Sequence, residues 1–211
     1  MGRKLIPYVV RQGDSLAKLA FVQGFDADEI WGLPENAAIS GLRRDPNMLR
    51  PGDILQLPVR PKEALSLTAG TTNRYVANVP RVHVHLCLRD DAGNALGNEP
   101  YEIQGLGPAR TGTSTAEGDV SFEAPVVTRE VSLLLTERGI TLPIRIGDLD
   151  PVEESSGVRM RLQHLGFLRA GDHDDGALRS SVRAFQEAQG LPPTGQIDDA
   201  TRTALITAHG S

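Results

Sequence analysis

"SSVRAFQEAQGL", residues 180–191, is the stretch on which the reading of the chain turns. Leu178, Val182 and Phe185 recur at spacings of four and three, which places them on one face of a helix. Gly190 supplies its stop, because glycine enters the left-handed conformation of a helix end without steric penalty. Upstream, "SSGVRMRLQHLGFL" (155–168) has the same design: Ser155 or Ser156 caps, Val158, Leu162 and Leu165 form the apolar stripe, and Gly166 ends it. Downstream, "PTGQIDDATRTAL" (193–205) starts a third helix near Asp198 and buries Leu205. The expectation for 151–211 is a three-helix bundle.

Together these stretches resemble the peptidoglycan-binding domain found at the ends of many wall amidases and hydrolases, from about Val152 to Ala208. Leu162-Gln163, Phe185-Gln186 and Gly190-Leu191 stand at the family's spacing. Two places depart from it: Leu178 stands where the family usually has Thr, and the loop "AGDHDDGA" (170–177) is abbreviated. Phe185 and Leu162 read as core and Gly190 as a helix cap. Gln163 and Gln186 are the candidates for ligand contact, with a capping or loop role equally open, since a primary amide both donates and accepts. "DHDDG" lacks the spaced ligands and terminal Glu of a calcium loop, and reads as a solvated acidic turn.

At the other end, "YVVRQGDSLAKLA" (8–20) sets strand-favouring Tyr8, Val9 and Val10 before a turn at Gly13. Asp14 or Ser15 then caps a helix carrying Leu16, Leu19 and Ala20. A second helix starts near Asp26, with Ile30 and Trp31 as buried positions. "LRPGDILQLP" (49–58) adds a Pro51-Gly52 turn and a returning strand through Ile54, Leu55 and Leu57. These paired signatures resemble the LysM domain over roughly 6–58, a small βααβ fold that binds glycans containing N-acetylglucosamine, such as peptidoglycan and chitin. The resemblance implies ligand contacts at Gly13, Asp14, Ser15 and Leu16 on one loop, and at Asn47, Met48, Leu49, Arg50 and Pro51 on the other. The same residue types also serve as turn, cap and core whatever the function. "WGLPENAAISGLRRDPNML" (31–49) is longer than the usual LysM stretch, and so reshapes or covers the groove.

Between these ends, residues 81–150 read as strands. "RVHVHLCLRD" (81–90) alternates, with Val82, Val84, Leu86 and Leu88 on a core face and His83, His85 and Cys87 on the other. "VSFEAP" (120–125), "REVSLLL" (129–135) and turn signals at 91–94 and 117–119 complete a small antiparallel β-sandwich. It looks like the transthyretin-like or carboxypeptidase-regulatory-like modules that act as spacers and interaction domains. Residues 59–80 are a linker or a first strand. His83, His85 and Cys87 are zinc-ligand types, but a metal site needs a fourth ligand and a second shell that the sequence does not identify. Nor does Cys87 have an identifiable base to make it a nucleophile.

The expectation is therefore an α+β multidomain protein that binds peptidoglycan or a related glycan without catalysis, cofactor or metal. No serine elbow, paired-histidine metal motif or Cys-His-Asn order is present to argue otherwise. A net charge of -5 with interspersed signs excludes a phosphate-neutralising stripe, hence nucleic acid. Aromatics are 4% of the residues, which limits sugar stacking. Cys87 is the only cysteine, so no internal disulfide framework forms. No signal sequence or membrane-length apolar run is visible, which predicts a cytoplasmic address without membrane insertion, or delivery to the periplasm or another cell by a secretion machine. The three-part layout also resembles proteins associated with type VI secretion spike clusters. That resemblance implies the alternative of a structural adaptor in a contractile injection system, with spike or effector proteins as partners.

Overall fold

Two short strands, β1 (Leu5–Val9) and β2 (Ile54–Pro58), pair antiparallel and bracket the N-terminal unit, with Tyr8 opposite Leu55. The computed structural model to which they belong describes residues 4–59, 66–75, 77–90 and 92–210. Helix α1 (Leu16–Gln23) begins where extended Ser15 accepts the Lys18 N–H, and ends at left-handed Gly24. Asp26 caps α2 (Ala27–Trp31) by accepting from the N–H groups of Asp28 and Glu29. The expected strand, two helices and strand are then extended by a 3-10 turn (Pro34–Asn36) and a third helix, α3 (Ala37–Leu42).

The cause of this departure from βααβ lies in the long 31–49 stretch. Pro34 starts the turn with its φ already set. Asn36, 1% exposed, fastens it: its amide donates to the carbonyls of Ile30 and Gln56, and its Oδ1 accepts the Gln56 N–H at 2.7 Å. Val10, Leu16, Leu19, Ala20, Ile30, Ile39, Leu49, Leu55 and Leu57 form the core beneath, and Trp31 packs against it half-buried.

The middle region holds two antiparallel sheets. Strand β3 (Arg81–Cys87) pairs with β6 (Asp119–Pro125), while β4 (Pro100–Gln104), β5 (Arg110–Thr113), β7 (Glu130–Leu135) and β8 (Ile140–Arg145) form a sheet ordered β5-β4-β7-β8. Both contribute to one core: Val120, Phe122 and Ala124 from the first, Ile103, Val131, Leu133 and Leu135 from the second. Val82, Val84 and Leu86 pack on that core, and His83, His85 and Cys87 face out, as strand alternation requires. Of the stretch 59–80, the described residues contain no strand and are exposed apart from half-buried Val79; 60–65 and 76 lie outside the described residues.

Helices α4 (Ser155–His164), α5 (Asp175–Ala188) and α6 (Asp199–His209) make the C-terminal unit. Asp174 and Asp198 cap α5 and α6 by accepting the N–H groups of Ala177 and Thr201. The cap of α4 falls on Glu154 rather than on Ser155 or Ser156, and its side chain makes no capping bond. Val152, Val158, Leu162, Leu168, Leu178, Val182, Phe185 and Leu205 share the core, with the Phe167 ring edge-on to Phe185 at 5.4 Å. Gly157 sets the entry to α4: a Cβ there would collide with the Pro151 carbonyl oxygen and stand 2.5 Å from that of Asp150. No helix among the described residues is long and apolar enough to cross a membrane.

Candidate functional site

One face of α6 stays uncovered. Its inner positions Thr201 and Leu205 are buried, and the offset positions Asp199, Ala200, Thr203, Ala204 and Thr207 line a shallow, wide-open groove with Gln189 and Leu191. The spacings of three and four along α6 align these small side chains on one stripe. Ala200, Ala204 and Leu191 present an apolar floor; Gln189, Thr203, Thr207 and Asp199 present hydrogen-bonding groups. Asp199 is the groove's single ionisable side chain, and it is paired with Arg44 at 2.8 Å and Arg202 at 3.4 Å.

Gln163 and Gln186, the candidates read from sequence in this unit, do not line the groove. Gln186 is 1% exposed and fully engaged with its own chain. Its Oε1 accepts the Gly195 N–H at 2.8 Å, and its Nε2 donates to Gln196 O, Thr201 Oγ1 and Thr194 Oγ1. It staples the 191–198 loop to α6 and so shapes the groove from behind. Gln163, half-buried, donates to the Arg169 carbonyl at 3.3 Å. The groove-lining residues went unread because small residues at helical spacing carry no chemical signature until a neighbouring loop leaves them open.

In the N-terminal unit the loop residues fall into two groups. Leu16 and Leu49 are core, at 1% and 4% exposure, and can offer only backbone. Asp14 is buried too: it accepts from the Tyr8 hydroxyl at 2.7 Å, the Arg11 N–H at 3.0 Å and Lys18 Nζ at 3.0 Å. Burial pushes its carboxyl upward, but the bonds from Tyr8, Arg11 and Lys18 outweigh this and hold it below the usual carboxylate value. Gly13 and Ser15 are half-buried; Asn47, Arg50 and Pro51 are exposed and Met48 is half-buried. Asn47 Oδ1 accepts the Ala17 N–H at 3.0 Å, so the two loops adjoin.

Both loops also meet the rest of the chain. Gln12 donates to the Asp148 carbonyl at 2.9 Å, and Arg129 donates to the Gln12 carbonyl at 3.3 Å. Arg50 pairs with Glu154 at 2.8 Å, and Met48 Sδ accepts from Arg161 at 3.0 Å. Arg161 is fully buried, donating also to the carbonyls of Asp150 and Gly157; burial lowers its pKa to about 10, still charged at neutral pH.

On the middle sheet, His85 Nε2 lies 3.2 Å from Asp119 Oδ1, and Cys87 Sγ donates weakly to the Glu117 carbonyl. Burial and the nearby Asp119 raise the Cys87 thiol, against the helping charge of Arg89, which disfavours the thiolate a nucleophile needs. Among the described residues, no three His, Cys, Asp or Glu side chains are grouped to hold a metal ion.

The class that the helical unit defines can now be stated. Residues 154–205 match the family model described as "Putative peptidoglycan binding domain". The matched span starts at the capping position of α4, ends at Leu205 in α6, and takes in the loop that Gln186 holds. The C-terminal unit is thus similar to peptidoglycan-binding domains, which supports wall binding in general terms. No curated protein and no solved structure matches the chain.

Proposed function

We propose that this chain is a non-catalytic peptidoglycan-binding protein that grips the wall with the α6 groove of its C-terminal unit. The observation that carries the reading is the family match over the three helices, on which the open groove lies. The Thr203 and Thr207 hydroxyls donate to the Asp199 and Thr203 carbonyls and so offer acceptors to the hydroxyl and amide groups of a wall fragment. The Gln189 amide offers a donor as well, and Ala200, Ala204 and Leu191 take an apolar sugar face or methyl group. The N-terminal unit is read as a LysM-like second module and the two sheets as a small sandwich-like spacer. Two joined modules would raise avidity by about two to four decades where both can engage.

A binding role is favoured over hydrolysis by the groove's own chemistry: one carboxylate, already paired with two arginines, is no acid and base pair. Co-sedimentation of the full chain with insoluble peptidoglycan tests the proposal. Retention in the pellet, competed by soluble wall fragments, is the expected result; a chain that stays in the supernatant would refute it.

A second reading, a structural adaptor of a contractile injection machine, draws on one observation: the loops read as LysM-like are engaged with the chain's other units. That arrangement suits a scaffold. Specific capture of spike components with no wall retention would favour it over wall binding.

A further inference from the structure

We propose that Glu154 latches a closed resting state, in which the two candidate glycan loops of the N-terminal unit are tied to the rest of the chain and partly covered, with Gly13 and Met48 half-buried and Asn47, Arg50 and Pro51 still exposed. This rests on the LysM-like reading of those loops.

Glu154 occupies the capping position of α4 yet caps nothing. Its carboxylate spans two units: Oε1 accepts from Arg43 Nη1 at 2.8 Å and Oε2 from Arg50 Nη1 at 2.8 Å. Arg43 is built for this. Its Nε and Nη2 form a two-pronged pair with Asp53, at 3.0 and 2.9 Å, leaving Nη1 aimed across the boundary. The Arg43 side chain is 2% exposed, so its bond to Glu154 is shielded from water. Asp53 also accepts the Arg50 N–H at 2.9 Å, fixing the loop that carries the second arginine.

The latch closes both lips. On the second loop, Arg50 and Met48 are taken by Glu154 and Arg161. On the first, Gln12 is held by Asp148 and Arg129, and a Cβ on Gly147 would lie 3.5 Å from the Gly13 α-carbon. The bond from the Ala17 N–H to Asn47 joins the lips, so freeing one loosens the other. Arg44, paired with Glu153 and Asp199, lies alongside and is exposed enough for salt to weaken it. A glycan reaching these loops has to displace such contacts first.

Glu154→Arg is the test, because it sets three guanidinium groups against one another while Arg43 keeps Asp53 and the N-terminal unit keeps its core. Glu154→Gln is the milder companion, and circular dichroism checks that both fold. Spin labels at exposed Gln23 and Glu187 in a Cys87→Ser background read the separation of the two units, and their distance distribution should lengthen or broaden in Glu154→Arg. An unchanged distribution in both folded variants overturns the latch. Wall binding is read separately in full chains that also carry Ala200→Arg to block the α6 groove. If sedimentation rises about tenfold when Glu154→Arg is added, the partly covered module is real; a lengthened distance without that rise overturns the glycan reading of the loops and leaves the latch standing.

Discussion

Replacing Gln186 with methionine separates a structural role from a ligand role. Methionine fills nearly the same volume and makes none of the four hydrogen bonds that Gln186 makes. Two of the deserted groups keep a partner: the Thr201 hydroxyl donates to Asp198 at 2.6 Å, and Thr194 Oγ1 accepts the Gln196 N–H at 3.1 Å. The N–H of buried Gly195 has no such fallback. An orphaned buried donor costs about 1–3 kcal/mol and each lost bond about 1 kcal/mol, so Gln186→Met should destabilise the C-terminal unit by about 3 kcal/mol. Urea unfolding followed by circular dichroism measures this as a lower midpoint at unchanged slope. At low temperature, the fraction that remains folded should still sediment with peptidoglycan. A variant as stable as the parent that no longer binds the wall would instead make Gln186 a ligand contact.

Two further predictions follow from buried groups. Partial burial, with added repulsion from His164, Arg161 and His85, lowers half-buried His209 to about 4, and partial desolvation beside Arg161 lowers the more exposed His164 as well. Their rings adjoin, with His164 Nδ1 2.9 Å from His209 Nε2. Because both folded values lie below the unfolded value near 6.5, the unfolded chain binds more protons between about pH 6.5 and 4, and stability is lost as pH falls through that window. Between pH 7.5 and 5 the His209 difference corresponds to at most about 2 kcal/mol, reduced further by solvent at this half-buried ring, and urea midpoints at the two pH values should show it; an unchanged pH dependence in His209→Gln would contradict the assignment. Gly157→Ala forces a methyl group into the backbone of Asp150 and Pro151, and should cost about 3 kcal/mol or more. Near-parental thermal stability of that variant would show that the 150–157 turn can relax.

What the sequence made legible was local. The 3.6-residue periodicity in 155–168 and 178–190, the helix start near Asp198 and the alternation of 81–88 each report a decision taken within a few residues. The Asp174 cap of α5, by contrast, lay inside what read as a solvated acidic turn. The helix α3 stayed hidden because what fixes it, the buried Asn36 against Gln56, joins positions twenty residues apart. Gln186 read as a ligand candidate for the same reason: an amide's partners, here Gly195 and Thr201, are set by the fold. The groove was invisible because Ala200, Thr203, Ala204 and Thr207 look like an ordinary solvated helix face. Glu154 carries no local signal of its role, since its two arginines come from the other end of the chain.

The central claim, that the α6 groove is the wall-binding surface, is tested most directly with Ala200→Arg in the full chain. Ala200 is exposed, so an arginine there fills the groove without entering the core. With the groove as the wall-binding surface, circular dichroism and the urea midpoint stay at parental values while co-sedimentation with insoluble peptidoglycan falls at least about tenfold, the loss of roughly 1.4 kcal/mol of binding. Undiminished sedimentation of this folded variant would contradict that claim.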